Sequence, residues 1–277
     1  MKIVTAIYEL VYEGSRGGGV YKSFPLLTET MRNIIFEDFE YVIYTNKDTY
    51  QKYNLNNYFN KPNIEIKFVE LNSEYYLNKI EPIRQKVFNS QEIYDRIYTV
   101  KNYLEVILNK LQFMLNETND NENVIWIDSG LFGTSCHDRW RDYMVKIAHT
   151  KTFLIKLNEC VDKYNFICIR GNQININYEL KQDILELFDV DLKIIPGGIF
   201  GGKSEYIKQI IGNYKEVFNT FLECKNKLIS EQEVLSVLTS KTNTKFFEIN
   251  DWLDFQRGIL EIMDLLTDKY KTDSCYE

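Results

Sequence analysis

The chain has 277 residues, 44% of them hydrophobic, with a formal charge of −7. That length and apolar content suffice for one large α/β core, and the negative balance excludes a generally basic nucleic-acid surface, though not a local phosphate pocket. The five cysteines (Cys136, Cys160, Cys168, Cys224, Cys275) form no CxxC pair, which removes support for metal-binding and redox-motif readings. Cys168, inside an apolar run, reads as a buried thiol.

The first stretch, MKIVTAIYEL, predicts a strand over Lys2–Tyr8. Its apolar run is short and no small-residue cleavage site follows, so it does not read as a signal peptide. No apolar run reaches the roughly 18 residues of a membrane span, and the expected location is the cytoplasm. Next comes YEGSRGGGV (Tyr12–Val20), with four glycines and Arg16. Gly14 and Gly19 have the separation of a phosphate loop, but Val20 and Tyr21 stand where Lys and Ser or Thr belong. The dinucleotide fingerprint fails as well, because Lys22 occupies the place of its third glycine. What remains is a cationic loop opening into a helix over Ser23–Ile35. Its backbone amides and Arg16 suit a diphosphate or a donor sugar as well as they suit a plain surface loop.

Strands are predicted over Tyr41–Thr45 and Ile64–Leu71, then a long helix over Ser90–Leu115. Ile93, Ile97, Val100, Leu104, Ile107, Leu108, Leu111 and Leu115 mark its buried face at three- and four-residue steps. The polar turn NETNDNEN (Asn116–Asn123) delivers the chain into VIWIDSG, predicted as a strand over Val124–Asp128. The strand ends on Asp128, and the small residues Ser129 and Gly130 leave room for a ligand. Such a carboxylate can coordinate a divalent cation on a nucleotide diphosphate, accept hydrogen bonds from ribose or sugar hydroxyls, or simply cap the next helix. Its place at a strand's carboxyl end favours the ligand-facing uses.

In CHDRWRDY (Cys136–Tyr143), His137 and Asp138 suggest a metal-dependent phosphohydrolase, but His149 is the chain's one other histidine, which excludes a multi-histidine site. Asp138 and Arg139 instead open a helix predicted over Trp140–Leu157. Strands follow at Phe166–Ile169, at Lys193–Ile195 with Ile199–Phe200, and at Lys245–Ile249. Between them lie helices at Tyr178–Phe188, Ser204–Leu222 and Glu231–Leu238. The segment KIIPGGIFGGKSEYI places glycine pairs, Gly197–Gly198 and Gly201–Gly202, around Ile199 and Phe200. These suit close approach of backbone to a ligand, or a bulged strand with tight turns. In SEQEV, Ser230 and Glu233 complete a capping box, which leaves Glu231 and Gln232 to present polar groups at a helix start.

Strand and helix in alternation predict a mostly parallel sheet covered on both faces. Asp128, the first loop and the PGG turn at Pro196–Gly198 then fall on one edge of it. No linker or internal repeat divides residues 1–250, which are expected to be one domain. The tail Asp251–Glu277 carries an apolar run (Leu253, Ile259, Leu260, Ile262, Met263) beside acidic residues. That acidity disfavours peripheral contact with anionic membranes, so docking on the domain or homo-oligomer formation is the expected use.

Taken in order, IVTAIYE, YVIYTN, NKLQFML, VIWIDSG, GGIFGG and SEQEVL resemble the landmarks of glycosyltransferases with the nucleotide-diphospho-sugar-binding A-type fold. Within that fold the chain is most similar to the bacterial family known as HtrL/YibB. The resemblance spans Met1 to Leu238, and VIWIDSG and GGIFGG are its individually specific motifs. It implies a single Rossmann-like mixed, mostly parallel sheet, a nucleotide-diphosphate sugar as donor, and a glycan or lipid-linked acceptor in surface polysaccharide synthesis. It also implies an Asp-x-Asp element binding Mn or Mg and the donor diphosphate; Asp128 takes the first position, but Gly130 stands at the last. Either the metal is held by Asp128 with phosphate oxygens and water, or the enzyme works without one, with Lys110, Arg16 or Arg96 neutralising the leaving diphosphate. Ser129 and Gly130 then border the donor, while Gly197, Gly198, Phe200, Gly201, Gly202 and Gln232 shape the acceptor side. Glu231 or Asp138 supplies acid/base chemistry. Two alternatives remain. One is sugar nucleotidyl transfer, on a similar sheet but with an early Gly-rich, Arg- and Lys-containing loop that Gly14–Lys22 imitates loosely. The other is a non-catalytic fold that binds carbohydrate or a protein.

Overall fold

The computed structural model describes residues 1–11, 35–89, 96–119, 121–129, 150–171, 177–193, 195, 197–242 and 244–249. The strands are β1 (Lys2–Ala6), β2 (Glu40–Thr45), β3 (Ile64–Phe68), β4 (Asn123–Ile127), β5 (Phe166–Gly171), β6 (Ile199–Lys203) and β7 (Lys245–Ile249). Among the described residues they form one sheet in the order β3-β2-β1-β4-β6-β5-β7. Every neighbouring pair is parallel except those of β6, which runs antiparallel to both β4 and β5. The fold is therefore α/β, with a mixed, mostly parallel sheet.

The described helices are α1 (Lys47–Lys52), α2 (Asn56–Phe59), α3 (Glu81–Asn89, entered through a π-helical turn at Tyr76–Ile80), α4 (Arg96–Thr99), α5 (Tyr103–Asn116), α6 (Thr150–Tyr164), α7 (Tyr178–Phe188), α8 (Ser204–Ile211), α9 (Tyr214–Lys225) and α10 (Glu231–Thr239). Strand alternation divides the core in two. Val4, Val42, Val124, Trp126 and Phe200 pack beneath α5, α8, α9 and α10, while Ile3, Ile43, Ile125 and Ile127 pack against α2 and α6.

β6 fits between its neighbours because two of its residues lack side chains. A Cβ on Gly201 would lie 2.3 Å from the Val124 carbonyl, and one on Gly202 would lie 2.4 Å from the Asn165 carbonyl. Phe200, opposite Trp126 in the ladder, is fully buried with its ring stacked 6.4 Å from the indole.

Three predicted elements differ. The long helix is two in its described part, because Asn102 adopts φ 58° between α4 and α5 and donates its N–H to the Tyr76 hydroxyl. Asparagine tolerates this left-handed conformation, so the apolar stripe continues while the helix does not. The helix predicted over Ser204–Leu222 breaks at Gly212–Asn213, two poor helix formers. Lys193 and Ile195 lie outside any strand, and β6 begins at Ile199 and runs on to Lys203. The helix predicted over Ser23–Ile35, most of Trp140–Leu157 and the tail lie outside the described residues, apart from Ile35 and the start of α6. No described helix is long and apolar enough to cross a membrane.

Candidate functional site at the β1–β4 edge

The chain moves outward from β1 through β2 to β3, then returns to the other side of β1 as β4. Connections leaving two such strands part in opposite directions and open a crevice at their carboxyl ends. Asp128 and Ser129 directly follow β4 at this point. The Ser129 hydroxyl donates to the Ala6 carbonyl, the last of β1, at 2.8 Å. The Asp128 N–H donates to the Gly198 carbonyl at 2.9 Å, so the backbone of the aspartate is tied to the start of β6 while the next residue is tied to the end of β1.

Alternation also sets the direction of the side chain. Val124 and Trp126 face α5 and α10, and Asp128, two residues further, points the same way. Its Oδ1 accepts from the Trp126 indole N–H at 2.8 Å and from the Lys110 ammonium at 2.9 Å. The Asp128 side chain keeps 30% of its surface exposed, whereas those of Lys110 and Glu231 keep 7% and 3%.

Lys110 stands on the buried face of α5, its ammonium 5.7 Å from the centroid of the Trp126 ring. It also donates to Glu231 Oε1 at 2.8 Å and to the Gly197 carbonyl at 3.3 Å. An ammonium has three N–H groups, and these three acceptors use them all. Burial alone would drive Lys110 toward its neutral form, but Asp128 and Glu231 outweigh that effect and hold it protonated well above the ordinary lysine range.

Glu231 is the first residue of α10. The expected capping box is present: the Ser230 hydroxyl accepts from the Gln232 N–H at 3.2 Å, and the Glu233 carboxylate accepts from the Ser230 N–H at 2.7 Å. Capping is thus done by Ser230 and Glu233, and the Glu231 carboxylate turns inward. Burial raises its pKa and Lys110 partly offsets the rise. Glu231 Oε2 is buried with no hydrogen-bond partner among the described residues. A Cβ on Gly197 would lie 2.4 Å from Glu231 Oε1, so the carboxylate occupies the space that this glycine leaves. Burial also pushes Glu233 up, to about 7.

Of the residues singled out from sequence, the structure brings Lys110, Asp128, Ser129, Gly197, Gly198 and Glu231 to this edge. Phe200, Gly201 and Gly202 run away from it, buried inside the sheet. Gln232 is partly buried on the first turn of α10. Lys110, expected beside a diphosphate, spends its donors inside the cluster. Arg16, Gly130 and Asp138 lie outside the described residues, as does the side chain of Arg96. Trp126 read from sequence as strand core alone. Its second role follows from the two-residue spacing to Asp128, which places both side chains on one face.

No protein-family model and no curated protein matches this sequence. Among solved structures, the chain is similar to an active-site mutant of LgtC, at 11% identity over 89% of this chain and 72% of that one, with a TM-score of 0.44. It is similar to mouse xyloside xylosyltransferase 1 in its apo form, at 8% identity over 99% and 95% of the two chains, with a TM-score of 0.43. It is also similar to 4-diphosphocytidyl-2C-methyl-D-erythritol synthase from Anaerococcus prevotii, at 12% identity over 94% and 96%, with a TM-score of 0.40.

Proposed function

We propose that this protein is a glycosyltransferase of A-type fold that moves a sugar from a nucleotide-diphosphate sugar to a glycan or lipid-linked acceptor in surface polysaccharide or glycoconjugate synthesis. One observation carries the reading: Asp128 is a partly exposed carboxylate at the carboxyl end of a central strand, beside the reversal of strand order, held in one orientation by Lys110 and Trp126. The ordered motifs that resemble A-type transferases support it.

In this reading Asp128 Oδ2 accepts hydrogen bonds from a ribose or sugar hydroxyl of the donor. Ser129 shapes the crevice between β1 and β4. Glu231, whose Oε2 is buried, holds Lys110 against Asp128 instead of meeting the sugar itself, and Gly197 keeps the space that its carboxylate needs. Arg16 on the first loop contacts the diphosphate, and Asp138 is the remaining candidate for acid/base chemistry.

Following nucleoside diphosphate release from a panel of nucleotide sugars tests the proposal. At least one donor is expected to be cleaved, with water or an added glycan as acceptor, and Asp128→Ala is expected to abolish the reaction. Pyrophosphate formed from a nucleoside triphosphate and a sugar 1-phosphate would instead establish nucleotidyl transfer. No turnover and no nucleotide-sugar binding would leave a non-catalytic binding fold.

A further inference from the structure

The resemblance to Asp-x-Asp transferases implies a divalent cation at the end of β4, and the residues present do not fit one. Asp128 Oδ1 already carries two protein donors, Lys110 and Trp126. The position two residues on is Gly130, which has no side-chain oxygen. Among the described residues no group of three His, Cys, Asp or Glu side chains is placed to hold a metal ion.

The oxygen atoms around Lys110 nevertheless make a cation cradle. Two carboxylate oxygens, from Asp128 at 2.9 Å and Glu231 at 2.8 Å, meet the Gly197 carbonyl at 3.3 Å. Two anionic oxygens and a carbonyl are the donor types that a hard divalent ion takes. Here they surround an ammonium tethered to α5. We propose that Lys110 is the built-in cation of this site, standing where a divalent ion would bridge Asp128 and Glu231, so that the site takes its ligand without a metal.

Two further features agree. A buried carboxylate such as Glu231 requires a counter-charge, and a lysine fixed by its own helix provides one without drawing an ion from solution. The indole N–H of Trp126 uses the same oxygen of Asp128, and among the described residues no side chain donates to Oδ2, which suits a ligand hydroxyl. The expectation of a nucleotide-sugar ligand rests on the function proposed above; the cradle does not.

Thermal unfolding of the full chain, in EDTA and in MnCl2, tests this on the wild type, Lys110→Met, Lys110→Gln and Lys110→Met/Asp128→Asn. Mn2+ is expected to leave the wild-type Tm within about 1 °C, since an ion that does not bind the folded state adds no stability. Lys110→Met is expected to melt lower in EDTA and to recover by about 5 °C or more at a hundredfold excess of Mn2+ over its dissociation constant. The added Asp128→Asn change should remove that recovery, and Lys110→Gln gives the same comparison if the methionine variant does not fold. A Mn2+ shift in the wild type as large as that of Lys110→Met would overturn the proposal, and so would lysine variants indifferent to Mn2+. Nucleotide sugars added to the wild type separate the two claims. A shift seen only with Mn2+ supports the donor reading and sinks the built-in cation. No shift in either condition, with Mn2+ recovery in the lysine variants, sinks the donor reading and leaves the cation in place.

Discussion

Glu233 and Glu231 sit two residues apart on one helix turn and have different tasks. Glu233 holds the N-cap, which is a local arrangement, and Ser-x-x-Glu is readable from four residues of sequence. Glu231 meets Lys110 across 121 residues, and no local pattern encodes such a pairing. For the same reason Lys110 looked from sequence like a free phosphate ligand, when the fold turns its donors inward. Glu233 makes a pH prediction. Its folded-state pKa, about 7, lies above the 4.5 expected of an unperturbed glutamate. Its contribution is therefore present below about pH 4.5 and is lost as pH rises through 7. Because Glu233 keeps some contact with solvent, Glu233→Gln should gain about 1–2 kcal/mol on the wild type between pH 4.5 and 8, read from urea melts at both. Gly197→Ala should push the Glu231 carboxylate off Lys110 and cost about 1–3 kcal/mol, measured by denaturant unfolding.

Among the elements, β4 and β6 show how far a pattern can be read. VIWI is an unbroken apolar run and is legible as a strand. GGIFGG was legible as unusual, but its glycines fit a ligand cleft as well as a crowded sheet. The structure places Gly201 against the backbone of Val124 and Ile125, which has little freedom to yield. Gly201→Ala should therefore destabilise more than Gly197→Ala, by about 3 kcal/mol or more, measured by denaturant unfolding. The short helices α1 and α2 were not predicted, because they bury one residue each, Thr49 and Phe59, and show no periodic stripe. The junction of α3 and α4 hangs on another residue that sequence hides. Arg84 is fully buried, paired through two nitrogens with Glu81 at 2.7 Å and donating to the Tyr98 carbonyl at 2.7 Å. Arg84→Met leaves Glu81 without its counter-charge, with the Tyr76 hydroxyl and the Gln85 amide still donating to it, and should cost about 3 kcal/mol in the same measurement.

For the whole molecule, the alternation of strand and helix made the class of fold legible, and with it the placing of Asp128 and the Gly197–Gly198 turn on one edge of the sheet. It did not give the strand order, because the antiparallel place of β6 between β4 and β5 rests on pairings between segments far apart in sequence. The reversal between β1 and β4 emerges from that order, and it sets Asp128 beside a crevice. Its side chain stands in the crevice, with Ser129 bridging to β1 and Lys110 beneath. The central claim is that this crevice receives a nucleotide-diphosphate sugar through Asp128. Its most direct test is the thermal shift of wild type and Asp128→Ala against a panel of UDP-, GDP-, ADP- and dTDP-sugars. At least one sugar nucleotide is expected to stabilise the wild type, and Asp128→Ala is expected to lose the shift while keeping its own cooperative unfolding. Equal shifts in both proteins, or none in the wild type, would contradict it.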